Sequence, residues 1–338
     1  MGVVRRLGFA GRLDAAPQIV ILGLTVLCLS AVPAHAQRVR FERTFDVGRT
    51  PTLDVSTIRG SIDVIAGDDG HVIVSGEVTV RIGWDVPADA AEIARAVASA
   101  PPVQQTGDVV RAHPPDDGRA RRAVTVSYRV RVPRGTRLIV ATESGATALA
   151  GVSQPVVVRS QSGAITLTDL ETSVRVTSGS AAISAANVRG GLEITTKSGS
   201  ITGRDLGGAL HVRTSSGAVN ASWATPGSAD VRTASSSIDL RNVAGPIAAV
   251  TSSGHVTIAG SPTAPWQINA GSGSVELTLP RGASAALDAA TRSGSVTVRG
   301  ADVQGTNDKR AVRGTIGSGG PAIHVTSRSG SIRVDVGL

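Results

Sequence analysis

From about residue 134 onward, hydrophobic residues alternate with polar or mixed ones in short runs, and the runs come in pairs. Leu138, Val140 and Thr142 form one such run; Leu192, Ile194 and Thr196, then Leu210, Val212 and Thr214, form others. The pattern continues through Ala229, Val231 and Thr233 and through Trp266, Ile268 and Ala270. A Ser-Gly step typically follows, and after it comes a second alternating pair: Ile165 and Leu167, Val219 and Ala221, Ile238 and Leu240, Val256 and Ile258, Val275 and Leu277, Val296 and Val298, Ile332 and Val334. Alternation of period two on both sides of the step predicts two short half-buried strands per repeat. The intervening residues, such as Glu193, Thr195 and Lys197 or His211, Arg213 and Ser215, are expected to face solvent.

The steps themselves are Ser144-Gly145, Ser162-Gly163, Ser178-Gly179, Ser198-Gly199, Ser216-Gly217, Ser253-Gly254, Ser272-Gly273, Ser293-Gly294 and Ser329-Gly330, with Ser235-Ser236 standing in for a tenth. The glycine position recurs at intervals of 18, 16, 20, 18, 19, 18, 19, 21 and 36 residues. A fixed period of this kind predicts an all-β fold: a parallel β-solenoid, or β-helix-like stack, of two-strand coils of roughly 18–20 residues. About ten coils at a rise of ~4.8 Å make a rod on the order of 50 Å long. The inward set steps by three residues across Ser-Gly where alternation requires two, so a corner sits there. Its glycines are expected to take positive φ, and its serines to stack as a hydroxyl ladder. A second corner is expected at Asp169-Leu170, Asn187 to Gly191, Asp205 to Gly208 and Asn242 to Gly245, where Asp, Asn and Gly favour turns.

Three segments follow. Residues 1–36 read as an export signal: Arg5, Arg6 and Arg12 precede an apolar stretch from Ile19 to Val32 and a small-x-small site at Ala34-His35-Ala36. Residues 37–133 read as a β-rich N-terminal cap and 134–338 as the solenoid. Within the cap, His71–Ile82 and Ala123–Val132 are expected strands, Asp89–Ser99 the one helix, Pro114–Arg122 a polar loop, and Thr57–Ile62 a degenerate first coil. Ala301–Gly320 breaks the repeat and predicts a looped-out or degenerate coil. Ser331–Val336 then ends the chain as an unpaired edge strand.

Composition narrows the chemistry. The single cysteine, Cys28, lies in the signal, so the mature chain has neither disulfides nor thiol chemistry. The formal net charge is +8, carried almost wholly by arginine; only Lys197 and Lys309 are lysines. The charges are scattered, as on a solvated surface, and suit an anionic partner only in aggregate. Three Trp, one Tyr and three Phe offer no set of stacking aromatics, which argues against a nucleic-acid partner. No nucleophile elbow, zinc-helix, phosphate-loop or dinucleotide motif occurs, and no cofactor is expected. His71, His113, His211, His255 and His324 are isolated. Asp68-Asp69 and Asp116-Asp117 are adjacent carboxylates, read as turn residues in water.

The Ser-Gly-Ser-(Ile/Val) repeats at Ser198, Ser293 and Ser329 give the chain a family resemblance. Val132-Pro133-Arg134-Gly135 before the first regular coil, Leu279-Pro280-Arg281-Gly282 near the last, and the run Gly314 to Pro321 strengthen it. Over roughly residues 45 to 338, with Trp84 to Arg122 the least typical stretch, the chain resembles the bacterial DUF4097 family, labelled "putative adhesin". The resemblance implies an exported β-solenoid and transfers no catalytic residue. The expected function is a non-catalytic envelope or secreted module that binds a surface polymer or protein partner. The mature chain carries no expected transmembrane span. Self-association through solenoid ends is the alternative, and a polysaccharide-acting enzyme using Asp116 and Asp117 the third reading.

Overall fold

A computed structural model describes residues 38–337 apart from Asp68, Asp69 and Pro226; the signal segment and the Asp68-Asp69 pair therefore lie outside the described residues. Residues 36–338 form one compact unit. Among the described residues the strands form two sheets, of 14 and 15 strands, facing each other across a narrow apolar interior. Each coil contributes one strand to each sheet. Val156–Ser160, for example, lies in sheet B, and after the Ser-Gly corner Ile165–Leu170 lies in sheet A.

Stacking is parallel and in register. Leu138, Val156, Val174, Leu192, Leu210, Ala229, Ile247 and Trp266 lie on successive rungs of sheet B, all buried. Trp266 and Trp223 are both buried, and their indole N–H groups donate to Gly245 O (3.1 Å) and Gly208 O (2.9 Å), so neither ring leaves an unpaired donor inside.

The stack begins earlier than the regular repeat. Thr52–Thr57 and Ile62–Gly67 form a coil that pairs directly with Arg137–Thr142 and Thr147–Ala150. Beyond it, sheet A adds Val124–Pro133 in parallel and then turns antiparallel through His71–Val80 to Arg38–Asp46, and sheet B adds Val109–Ala112 in parallel and then Val103–Thr106 antiparallel. Antiparallel ends of this kind remove the open coil edge that invites aggregation. The helix Ala90–Ser99 buries Ala90, Ala94, Val97 and Ala98 along one face and packs against the end strands of sheet A.

Three expectations are corrected. Pro114–Arg122 is not wholly a loop: Gly118–Ala123 is a second short helix. Asp117 starts it, its carboxylate accepting from Arg119 N (3.1 Å) and Ala120 N (3.0 Å). Ala301–Gly320 is not a looped-out coil but a hairpin, Val303–Asp308/Ala311–Ile316, laid antiparallel on Ala285–Thr291. Finally, Ser331–Val336 is no edge. The last coil, Ala322–Ser327 and Ile332–Val336, inserts between the coil Trp266–Leu279 and the coil Ala285–Arg299. The hairpin turns the chain around, so sequence order and stacking order part company at this end.

Candidate binding faces of the solenoid

The Ser-Gly corners are closed by backbone. In each coil the N–H of the corner serine donates to the carbonyl two positions before the corner glycine of the adjacent coil. Examples are Ser162 to Glu143 (2.7 Å), Ser216 to Lys197 (3.0 Å), Ser253 to Ala234 (3.0 Å) and Ser272 to Ser252 (2.9 Å). Ser144 donates to Ile58 (3.0 Å), which extends the ladder onto the first coil. The side chains do not form the expected hydroxyl ladder: among the described residues only Ser198 reaches a neighbouring corner hydroxyl, Ser180, at 3.2 Å. Ser144 and Ser162 instead donate to carbonyls of the preceding coil.

Register corrects one pair. Ser178 aligns with Ser160 and Thr196, three positions before the corner, so Ser178-Gly179 is not the corner step. Ser180 and Ala181 occupy it, and the irregular intervals of 16 and 20 become two of 18. Ser178 is buried, and its hydroxyl accepts from Ala181 N (3.0 Å).

That buried hydroxyl is a recurring device. Gly145 N donates to Thr142 Oγ1 (2.9 Å), Gly217 to Thr214 (3.0 Å), Gly254 to Thr251 (2.9 Å), Gly294 to Thr291 (3.1 Å) and Gly330 to Ser327 Oγ (2.9 Å). At two corners the linkage is turned over. Ser160 and Thr196 donate to Ser162 O (3.0 Å) and Ser198 O (2.8 Å), and there Gly163 and Gly199 take φ of 112° and 107°. Glycine is thus required for positive φ at those two corners only. Close approach is demanded there and at the other corners alike: a Cβ on Gly163 or Gly199, or on Gly145, Gly217, Gly254, Gly273, Gly294 or Gly330, would fall under 3.0 Å from a carbonyl of the adjacent coil. At the opposite corner, Asp169, Asn187, Asp205 and Asn242 adopt left-handed backbone, and Asn187 Nδ2 donates to Asp169 Oδ1 (2.7 Å).

The outer faces are where a ligand has access. On sheet A one continuous outward row reads Glu42, Ser75, Arg129, Asp63, Ala148, Thr166. It then continues Ser184, Thr202, Asn220 before the next charge, Asp239. Long charged side chains of the end strands therefore stand beside a floor of small residues. The concavity so formed measures about 910 Å³, with Arg40, Glu77 and Ser127 on its rim and Ala146 and Ala164 in its floor. Its charges are mutually engaged: Arg40 with Glu77 (3.2 Å), Arg129 with Asp63 (3.4 Å), and Ser75 donating to Glu42 (2.9 Å). Beneath lies Tyr128, edge-on to Phe41, its hydroxyl donating to His113 O (2.8 Å); burial pushes its pKa upward.

The candidate acid–base groups do not converge. Asp117 is committed to its helix, its carboxyl held low by the N–H bonds from Arg119 and Ala120. His71, His113, His255 and His324 each face a single carboxylate: Asp46 (2.9 Å), Asp54 (3.3 Å), Glu276 (3.9 Å) and Asp288 (3.3 Å). Among the described residues no three His, Cys, Asp or Glu side chains gather as metal ligands, and no helix is long and apolar enough to cross a membrane.

Two sheets of parallel strands stacked coil on coil define the chain as a β-solenoid protein. It belongs to the Toastrack DUF4097 family, whose model matches residues 130–335. No curated protein matches it. Two solved structures are similar. A "putative cell adhesion protein" from Clostridium sporogenes ATCC 15579 is 10% identical at a TM-score of 0.19, covering 88% of this chain and 100% of its own. A "putative adhesin" from Bacteroides fragilis NCTC 9343 is 11% identical at a TM-score of 0.31, covering 88% of this chain and 97% of its own.

Proposed function

We propose that this protein is an exported, non-catalytic binding module that presents the outer faces of its solenoid to a polymer or protein of the cell envelope. The signal-like residues 1–36 support export. The observation that carries the binding reading is the outward row of sheet A, where Glu42, Arg129 and Asp63 meet a small-residue floor in a concavity of about 910 Å³. Such a shelf admits an extended chain lying across the strands, and its charged wall supplies directional hydrogen bonds. Ion pairs on the rim are exposed, and each contributes only ~0–1 kcal/mol to stability, so they are free to exchange partners with a ligand.

The test is co-sedimentation of the protein with fractionated envelope across a salt series, its mass followed by light scattering. Saturable retention of a monomer, reduced by Arg129→Ala with Asp63→Ala, is expected. No retention in any fraction overturns the reading.

A second reading, self-association, is favoured by one specific edge. Val296–Arg299 ends sheet A as a parallel strand with no further strand beyond it among the described residues. Growth of the free protein into large species, abolished by Val298→Pro, is the outcome that supports it.

A further inference from the structure

The inserted last coil brings together two arginines that are 36 residues apart in sequence. Arg328 and Arg292 both sit two positions before a corner glycine. Arg328 N donates to Gly271 O (2.9 Å) and Ser293 N to Arg328 O (3.1 Å), so Gly271, Arg328 and Arg292 occupy successive rungs. Rungs are ~4.8 Å apart, and both side chains are exposed. Neither arginine forms an ion pair among the described residues. Asp288, the carboxylate of the same end coil, is already taken by Arg313 (2.9 Å) and His324 (3.3 Å).

The two arginines line a groove of about 440 Å³ with Thr251, Ser252, Asn269 and Thr326. Its lining contains no carboxylate and no aromatic ring. Asn269 Oδ1 accepts from Thr326 (2.6 Å), which leaves the Asn269 amide hydrogens for another acceptor. Two guanidinium groups one rung apart repel, and an anion bridging them converts that repulsion into paired charge-assisted hydrogen bonds. Apart from Val250 and Ala270 the remaining lining is hydroxyl, amide and backbone, which matches a polyhydroxylated chain. Bases would need stacking partners that are missing here, and acyl chains an apolar surface.

We propose that this groove binds an acidic polysaccharide, its carboxylates bridging Arg292 and Arg328 and its hydroxyls meeting Ser252 and Asn269. The proposal rests on the polymer-binding reading above and names a ligand class at a second place on the solenoid.

Titration of the full chain with fluorescent polygalacturonate tests it. Binding is expected to weaken with salt and to fall at least tenfold in the double variant Arg292→Gln, Arg328→Gln. The variant Arg159→Gln, Arg213→Gln removes the same net charge from elsewhere on sheet B and is expected to change affinity less than threefold. Equal losses in the two variants, equal competition by neutral dextran, or tighter binding of single-stranded DNA overturns the proposal. A second readout needs no substitution. Polygalacturonate is expected to protect Arg292 and Arg328 from an arginine-specific dicarbonyl reagent, and unchanged reactivity overturns the proposal. Envelope co-sedimentation that persists while polygalacturonate fails to bind ends this proposal and leaves the broader binding reading standing.

Discussion

Thr233 and Thr251 occupy the same buried column on adjacent rungs, and replacing each by valine should move stability in opposite directions. Valine keeps the shape and the β-branch, so strand preference and packing volume are held nearly constant. Thr251 Oγ1 accepts the N–H of Gly254 at 2.9 Å and donates toward Ser236 O at 3.3 Å. Gly254 is buried, so Thr251→Val strands its amide without water, a loss of about 1–3 kcal/mol. Thr233 Oγ1 is buried with no hydrogen-bond partner. Replacing it removes a hydroxyl that is desolvated without compensation, a gain of about 1 kcal/mol. The two variants should therefore differ by roughly 2–4 kcal/mol although their chemistry is identical. Denaturant midpoints at matched slope measure that difference, and hydrogen exchange of the Gly254 amide localises it. If Thr233→Val destabilises as much as Thr251→Val, the corner hydroxyl is not the device described, and the column is held by packing alone.

Further outcomes follow from other sites. Trp266→Ala should cost about 3–5 kcal/mol, because the indole is buried and its loss also strands Gly245 O, read by the same midpoints. Gly273→Ala should destabilise, since its Cβ would collide with the Gly254 carbonyl, whereas Gly282→Ala, with nothing near its Cβ, should cost only the strain of φ 78°. Tyr128 is the sole tyrosine, and burial raises its pKa. The phenol should stay protonated past pH ~10, so the folded chain loses stability above that pH as the unfolded phenol ionises. Phenolate absorbance should rise together with unfolding and not before it. Asp117 has the opposite sign: its folded carboxyl is held below the ordinary range, so the cap's contribution is present above that range and lost as pH falls through the folded value. Asp117→Ala should abolish that acid-dependent part of the melting profile.

The coil was legible because period-two alternation is a local property that burial enforces on every rung. Leu138, Val140 and their successors could face inward in no other register. The corner was legible as a place but not as a mechanism. Two demands, positive φ at Gly163 and Gly199 and close approach at Gly145 or Gly273, select the same residue, so composition does not distinguish them. Ser178-Gly179 misled for a related reason: serine serves both as the buried hydroxyl and as the corner residue, and the same coil places Ala181 where glycine is usual. The second helix was missed because its start is one side chain, Asp117, in a segment otherwise typical of a loop. The paired arginines had no sequence signal, because the hairpin Val303–Ile316 separates their two repeats and doubles the interval between them.

The inserted coil also imposes an order of events on assembly. Most solenoids can lengthen rung by rung as chain emerges, each coil resting on a finished neighbour. Here the slot between the strands Trp266–Ala270 and Ala285–Thr291 has to wait for Ala322–Ser327. Until those residues arrive, Ala285–Thr291 has only the hairpin strand Ala311–Ile316 as a neighbour and is not joined to the rest of sheet B. A chain interrupted between residues 299 and 322 would lack the coil that joins Ala285–Thr291 to Trp266–Ala270. Residues 322–336 thus act as a keystone, joining the two halves of this end of the stack only once they have been made.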